Sequence, residues 1–142
     1  MIKVSSTLKD YEHIDTKALV IGVFEGQPVS DFKVLDTITK GEVMEVFKNK
    51  EFNGEYKKLS LFHSREVPKR ILFVGLGKRD EFSKEKAREA ASVASKFLDE
   101  RNFKSFTIEI FDGLEPYESA YAINEGVQLS LYKFLMYKTQ KL

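Results

Sequence analysis

ILFVGLGKRDEFSKEKAREAASVASKFL, Ile71 to Leu98, decides the fold. It opens with a continuous β-branched and aromatic run closed by glycine, the pattern of a strand covered on both faces, where no alternate position has to be polar. It continues into SKEKAREAASVASKFLDER (Ser83 to Arg101), with Ser83 placed to cap a helix and Glu85 in the first turn, complementing the helix dipole. Ala87, Ala90, Ala91, Ala94, Phe97 and Leu98 fall on one stripe, and alanine on that stripe lets a helix lie close to a sheet.

Working outward, KALVIGVF (Lys17 to Phe24) repeats the buried-strand pattern, so it and RILFVGLG (Arg70 to Gly77) are read as central strands. IKVSS (Ile2 to Ser6), KLSLFHS (Lys57 to Ser64) and SFTIEIF (Ser105 to Phe111) alternate apolar and polar residues, the reading for strands nearer an edge or with one wetter face. Asp31 to Lys48 holds one or two short helices broken at Gly41, and Asn49 to Glu55 turns into the next strand. A last helix begins at Pro116, with Ala120, Ile123, Val127, Leu131 and Phe134 as its stripe. Gly126 interrupts that helix at about 1 kcal/mol relative to Ala, which implies a close neighbour there. Strands alternating with helices predict a single α/β domain over residues 1–142: a three-layer α/β/α sandwich around a mixed, mainly parallel sheet.

Composition narrows the function classes. The 142 residues are 42% hydrophobic with 12 Phe, 6 Tyr and only 3 Pro, a globular rather than a disordered composition. Formal charge is +1, from 23 basic and 22 acidic residues with the signs interspersed, so no field is built up to attract a phosphate polymer and nucleic acid is disfavoured. Cysteine is absent, which excludes disulfide scaffolds and thiolate metal sites. The longest uncharged apolar runs, Ala18 to Phe24 and Ile71 to Gly77, are far short of the roughly 20 residues a membrane span needs. The expectation is a soluble, cytoplasmic protein.

Each local constellation also has an ordinary structural explanation. VGLGK offers a candidate anion-binding turn at Gly75, Gly77 and Lys78, with glycine amides and a cation after a strand. It lacks the spacing of either phosphate-binding glycine fingerprint, and the helix starts some residues later, so a structural turn is favoured. DYEHID (Asp10, Glu12, His13, Asp15) matches no ligand template and reads as a solvated connection. His63 and Ser64 point to opposite faces of a strand and cannot form a nucleophile and base pair. Glu118 and Glu125 lie about 10.5 Å apart along a helix axis and read as solvated charges.

The Ile71 to Leu98 segment and NEGVQLSLYKFLMYK (Asn124 to Lys138) together resemble the end of the amino-terminal domain of cytosol aminopeptidases, the leucine aminopeptidase family. The resemblance covers most of the chain from about Thr16 onward. It implies a macro-domain-like fold and a parent enzyme that removes amino-terminal residues from peptides in a hexameric cytoplasmic particle. Catalysis there depends on two divalent metals, zinc, manganese or magnesium, held in a carboxy-terminal domain around an NTDAEGR-like motif. No such string occurs here, so the resemblance implies no catalytic residue, metal or cofactor in this chain, and a fragment inactive alone. Its expected partners are its own catalytic domain and the other subunits of a homo-oligomer, with Leu135, Met136 and Tyr137 at the interdomain interface. The alternative is a free-standing macro-like module that binds a nucleotide or ADP-ribose; DNA binding is a weaker third reading.

Overall fold

The computed structural model describes the backbone of residues 2–5 and 17–141 and the side chains of residues 17–130. Five strands form one sheet: β1 (Ile2–Ser5), β2 (Ala18–Phe24), β3 (Leu59–His63), β4 (Arg70–Gly77) and β5 (Phe106–Glu109), in the spatial order β1-β5-β2-β4-β3. All neighbouring pairs are parallel except β3 with β4, so the sheet is mixed and mainly parallel, as the sequence predicts.

Alternate residues of the two central strands feed two separate cores. Val20 and Phe24 of β2, with Leu72, Val74 and Leu76 of β4, pack beneath α3 (Lys84–Glu100) and α4 (Pro116–Lys141). Leu19, Ile21 and Val23, with Ile71 and Phe73, pack on the other face beneath α1 (Lys33–Ile38) and α2 (Glu42–Lys48). That second core centres on the Phe73 ring, whose centroid lies 5.0 Å from Phe32 and 5.1 Å from Phe62. Helices therefore cover both faces, and the three-layer sandwich stands.

Gly41 does separate α1 from α2. α1 ends in a Schellman motif: the Lys40 N–H donates to the Thr37 carbonyl and the Gly41 N–H to that of Asp36, with Lys40 at φ +57° and Gly41 at +85°. At the start of α3 the Ser83 hydroxyl accepts the Lys86 N–H at 3.2 Å, the expected cap.

Two readings need correction. β5 has no wet face: it lies between β1 and β2, one strand in from the edge, and Phe106, Thr107 and Ile108 are all buried. Ser105, Thr107 and Glu109 gave the alternation, but Thr107 is β-branched and is buried within an interior strand. The buried stripe of α4 is also rotated from the expected one, since Ala120 is half-exposed while Ser119, Ala122, Ile123, Gly126 and Val127 face inward. Small residues win that face because the partner is the alanine stripe of α3 and the two helices approach closely. A Cβ on Gly126 would overlap the Arg88 carbonyl oxygen and stand 3.1 Å from the Ala91 Cβ, the close neighbour that this glycine implies.

Candidate functional site

In open α/β sheets, ligands sit beyond the carboxyl ends of parallel strands, where the chain leaves adjacent strands towards opposite faces. β2 leads to α1 and α2 on one face, while its neighbours β4 and β5 lead to α3 and α4 on the other, so the crevice falls at the carboxyl end of β2. The β2–β5 register runs through Leu19↔Thr107 and Val20↔Ile108 and does not continue to the carboxyl end of β2. The Phe111 ring packs there. Its Cδ1 lies 2.6 Å, and the Leu76 Cδ1 2.7 Å, from where a Cβ on Gly22 would stand, so only glycine admits both. Phe111 is pinned by Ser119 of α4, whose hydroxyl accepts the Phe111 N–H at 3.1 Å and donates to its carbonyl at 2.9 Å. Phe82 packs edge-on against Phe24 at 5.0 Å and also touches Phe111, and the Arg79 guanidinium lies 4.2 Å over the Phe24 ring. An aromatic plug thus occupies the place where this topology usually binds ligands.

The glycine turn is equally committed. Gly75 and Gly77 lie within β4, and their N–H groups donate to the carbonyls of Lys58 at 2.8 Å and Gly54 at 3.0 Å. The backbone of residues 54–58 crosses so close that a Cβ on Gly75 would overlap the Glu55 carbonyl oxygen. Both amides that an anion would use are therefore already donated, and Lys78 stands exposed beside them. Tyr56 fastens the crossing segment to α3: its hydroxyl donates to the Glu89 carboxylate, which the Lys57 ammonium also approaches at 3.3 Å. The tyrosine hydrogen bond, with help from Lys57, holds the Glu89 carboxyl below its usual range, while burial and then that same carboxylate push the Tyr56 phenol up.

The remaining candidates stay apart. The Ser64 hydroxyl donates to the Ile38 carbonyl at 3.1 Å and accepts the Glu66 N–H at 3.0 Å, while His63 is exposed on the opposite side of the strand. Glu118 pairs with Lys84 at 3.5 Å, and Glu125 is exposed. Among the described residues no three His, Cys, Asp or Glu side chains come together as a metal ion would require. Asp10, Glu12, His13 and Asp15 lie outside the described residues, as do the side chains of Leu135, Met136 and Tyr137 in the last turns of α4. What the sequence reading missed is a pair on α4, Tyr117 and Tyr121, 80% and 64% exposed. Their spacing of four residues, off the buried stripe, is the signal that marks them.

Comparison with known proteins places this architecture. Residues 20–141 match the profile described as "Cytosol aminopeptidase family, N-terminal domain". The chain belongs to the cytosol aminopeptidase family. A probable cytosol aminopeptidase of Geobacter sp. (strain M21) is 33% identical over 98% of this chain but only 28% of its own length. The chain thus spans little more than a quarter of the curated relatives it matches. A tomato leucine aminopeptidase mutant superposes with a TM-score of 0.70 at 20% identity, covering 91% of this chain and 27% of that one. The macrodomain of Mycobacterium tuberculosis DarG superposes with a TM-score of 0.65 at 18% identity, covering 91% of each chain. Both structural likenesses are likenesses of fold. No described helix is long and apolar enough to cross a membrane.

Proposed function

We propose that this chain is the non-catalytic amino-terminal part of a metal-dependent leucyl aminopeptidase, acting in subunit assembly and in shaping access to an active site carried elsewhere in a longer protein. One observation carries the reading: the family profile covers residues 20–141, while the matched relatives are more than three times as long. Two divalent metals, zinc, manganese or magnesium, would polarise the peptide carbonyl and activate water in the remainder of the enzyme. The described residues of this chain bring together no group of side chains that fits such a centre. Its own part is to dock. Leu135, Met136 and Tyr137 form the interdomain contact in this reading, continued along α4 by exposed Tyr117 and Tyr121. The partners are the catalytic domain and the other subunits of a cytoplasmic hexamer.

The test has two arms. The purified chain, supplied with manganese or zinc, should leave leucine p-nitroanilide uncut. Fused to the residues that follow the matched region in the Geobacter relative, it should give an assembled, active enzyme, whereas those residues alone should assemble poorly. Hydrolysis by the chain alone, or a fusion that behaves no differently from the catalytic part alone, would refute the proposal. The competing reading, a nucleotide-binding macro-like module, is favoured only by the fold likeness to the DarG macrodomain. Phe111 in the crevice opposes it, and calorimetric binding of ADP-ribose at micromolar concentration would revive it.

A further inference from the structure

Among the described residues the sheet has two edge strands, β1 and β3, each paired on one side only. β3 is bonded on one side only, to β4. Its register fixes which backbone groups face outward. The Gly75 N–H donates to the Lys58 carbonyl and the Ser64 N–H to that of Lys69, so in this antiparallel ladder residues 58, 60, 62 and 64 turn their backbone groups towards β4. Leu59, Leu61 and His63 turn theirs away. Their N–H and C=O groups form a template for one more strand. On the α3 face of the same strand, the Leu59 and Leu61 side chains pack against the core yet remain half-exposed, so an added strand has apolar surface to cover as well as hydrogen bonds to make.

Charge decides what kind of strand fits. Lys57 and Lys58 precede β3 and Arg65 and Lys69 follow it, all exposed; five cations stand against two carboxylates between residues 55 and 70, with Glu89 of α3 as a further carboxylate beside Lys57, in a chain otherwise balanced. A second copy pairing antiparallel about Leu61 would set Lys57 opposite Arg65 twice, a like-charge contact that weakens such a pair. We propose that β3 is a docking edge that takes an extended segment of a partner protein as a sixth strand, apolar at alternate positions and flanked by carboxylates. Main-chain hydrogen bonds to Leu59, Leu61 and His63 supply affinity, and the flanking cations select the partner. The inference is independent of the aminopeptidase reading, because it concerns an edge away from α4.

The probe is a fluorescein-labelled peptide, Asp-Glu-Val-Thr-Val-Thr-Val-Glu-Asp, titrated into the whole chain by anisotropy and followed by residue-resolved amide exchange. Binding should protect the Leu59, Leu61 and His63 amides while leaving Ser60 and Phe62, already bonded within the sheet, unchanged. The double variant Lys58→Glu, Arg65→Glu changes only exposed side chains and should weaken binding by about tenfold or more, as should raising the salt well above physiological strength. A peptide with lysine in place of its carboxylates should bind no better than that variant binds the acidic one. Four results would each overturn the inference: no binding at millimolar peptide, equal binding of the basic peptide, binding that leaves the three amides unprotected, or protection of those amides in the free chain.

Discussion

Replacing Gly126 by alanine sets helix propensity against helix packing. In an isolated helix the change would stabilise by about 1 kcal/mol. Here the new methyl would overlap the Arg88 carbonyl oxygen and crowd the Ala91 Cβ at 3.1 Å, and the first of these belongs to the backbone of α3, which cannot rotate aside. Relief requires α3 and α4 to part by about 1 Å, and a gap of that size forfeits roughly half of each dispersion contact along the seam. That seam joins Ala87, Ala90, Ala91 and Ala94 to Ala122, Ile123 and Val127, so the loss is shared across one core. Overpacking of this kind costs about 1–3 kcal/mol, and a rigid backbone obstacle belongs at the upper end. Subtracting the propensity gain leaves a net loss of about 2 kcal/mol, which lowers a urea midpoint by roughly 1 M for a small domain. Asn124→Ala, two residues earlier and exposed, isolates propensity and should raise the midpoint slightly. A Gly126→Ala midpoint equal to or above that of the parent would refute the close-packed seam.

Three further outcomes are expected. Ser119→Ala removes both partners of the Phe111 backbone and should cost about 1–3 kcal/mol in urea unfolding; an unchanged midpoint would mean that Phe111 is not held this way. Tyr56→Phe should flatten the pH dependence of stability at both ends. The Glu89 carboxyl is held below its ordinary 4.5, so the unfolded chain binds more protons just under that pH and stability falls as pH drops through the folded value. The Tyr56 phenol is raised above its ordinary 10.0, so the folded chain keeps a proton that the unfolded chain loses, and stability falls as pH climbs past 10.0. Parallel pH profiles of midpoint for the variant and the parent would remove the latch. Tyr117→Ala with Tyr121→Ala should leave stability within about 0.5 kcal/mol, both side chains being exposed, while weakening assembly with the catalytic part in gel filtration; undiminished assembly would take this face out of the interface.

The candidate site was legible only in outline. VGLGK was visible as a glycine turn, but that its amides are donated to Gly54 and Lys58 depends on a segment that precedes it by some twenty residues and returns through β3. Phe111 was visible as the last residue of an alternating strand. Nothing local says that its ring lies over Gly22, a contact that spans most of the chain. Tyr117 and Tyr121 stand four residues apart in the sequence, but their exposure depends on which face of α4 meets α3.

The class of the fold and the location of its elements are written in local patterns of the chain. Unbroken apolar runs demand cover on both faces, an alanine stripe demands a close helix, Ser83 and Gly41 mark where helices begin and end, and the two motif segments carry the family. Those are local or periodic properties, written within a few residues of where they act. The strand order, which sets β5 between β1 and β2, and the rotation of α4 that turns its small residues inward emerge from long-range packing. So do the closed crevice and the open edge of β3. These depend on which distant surfaces meet, and pairings across the chain are chosen by the summed packing of the whole core rather than by any residue's own neighbours.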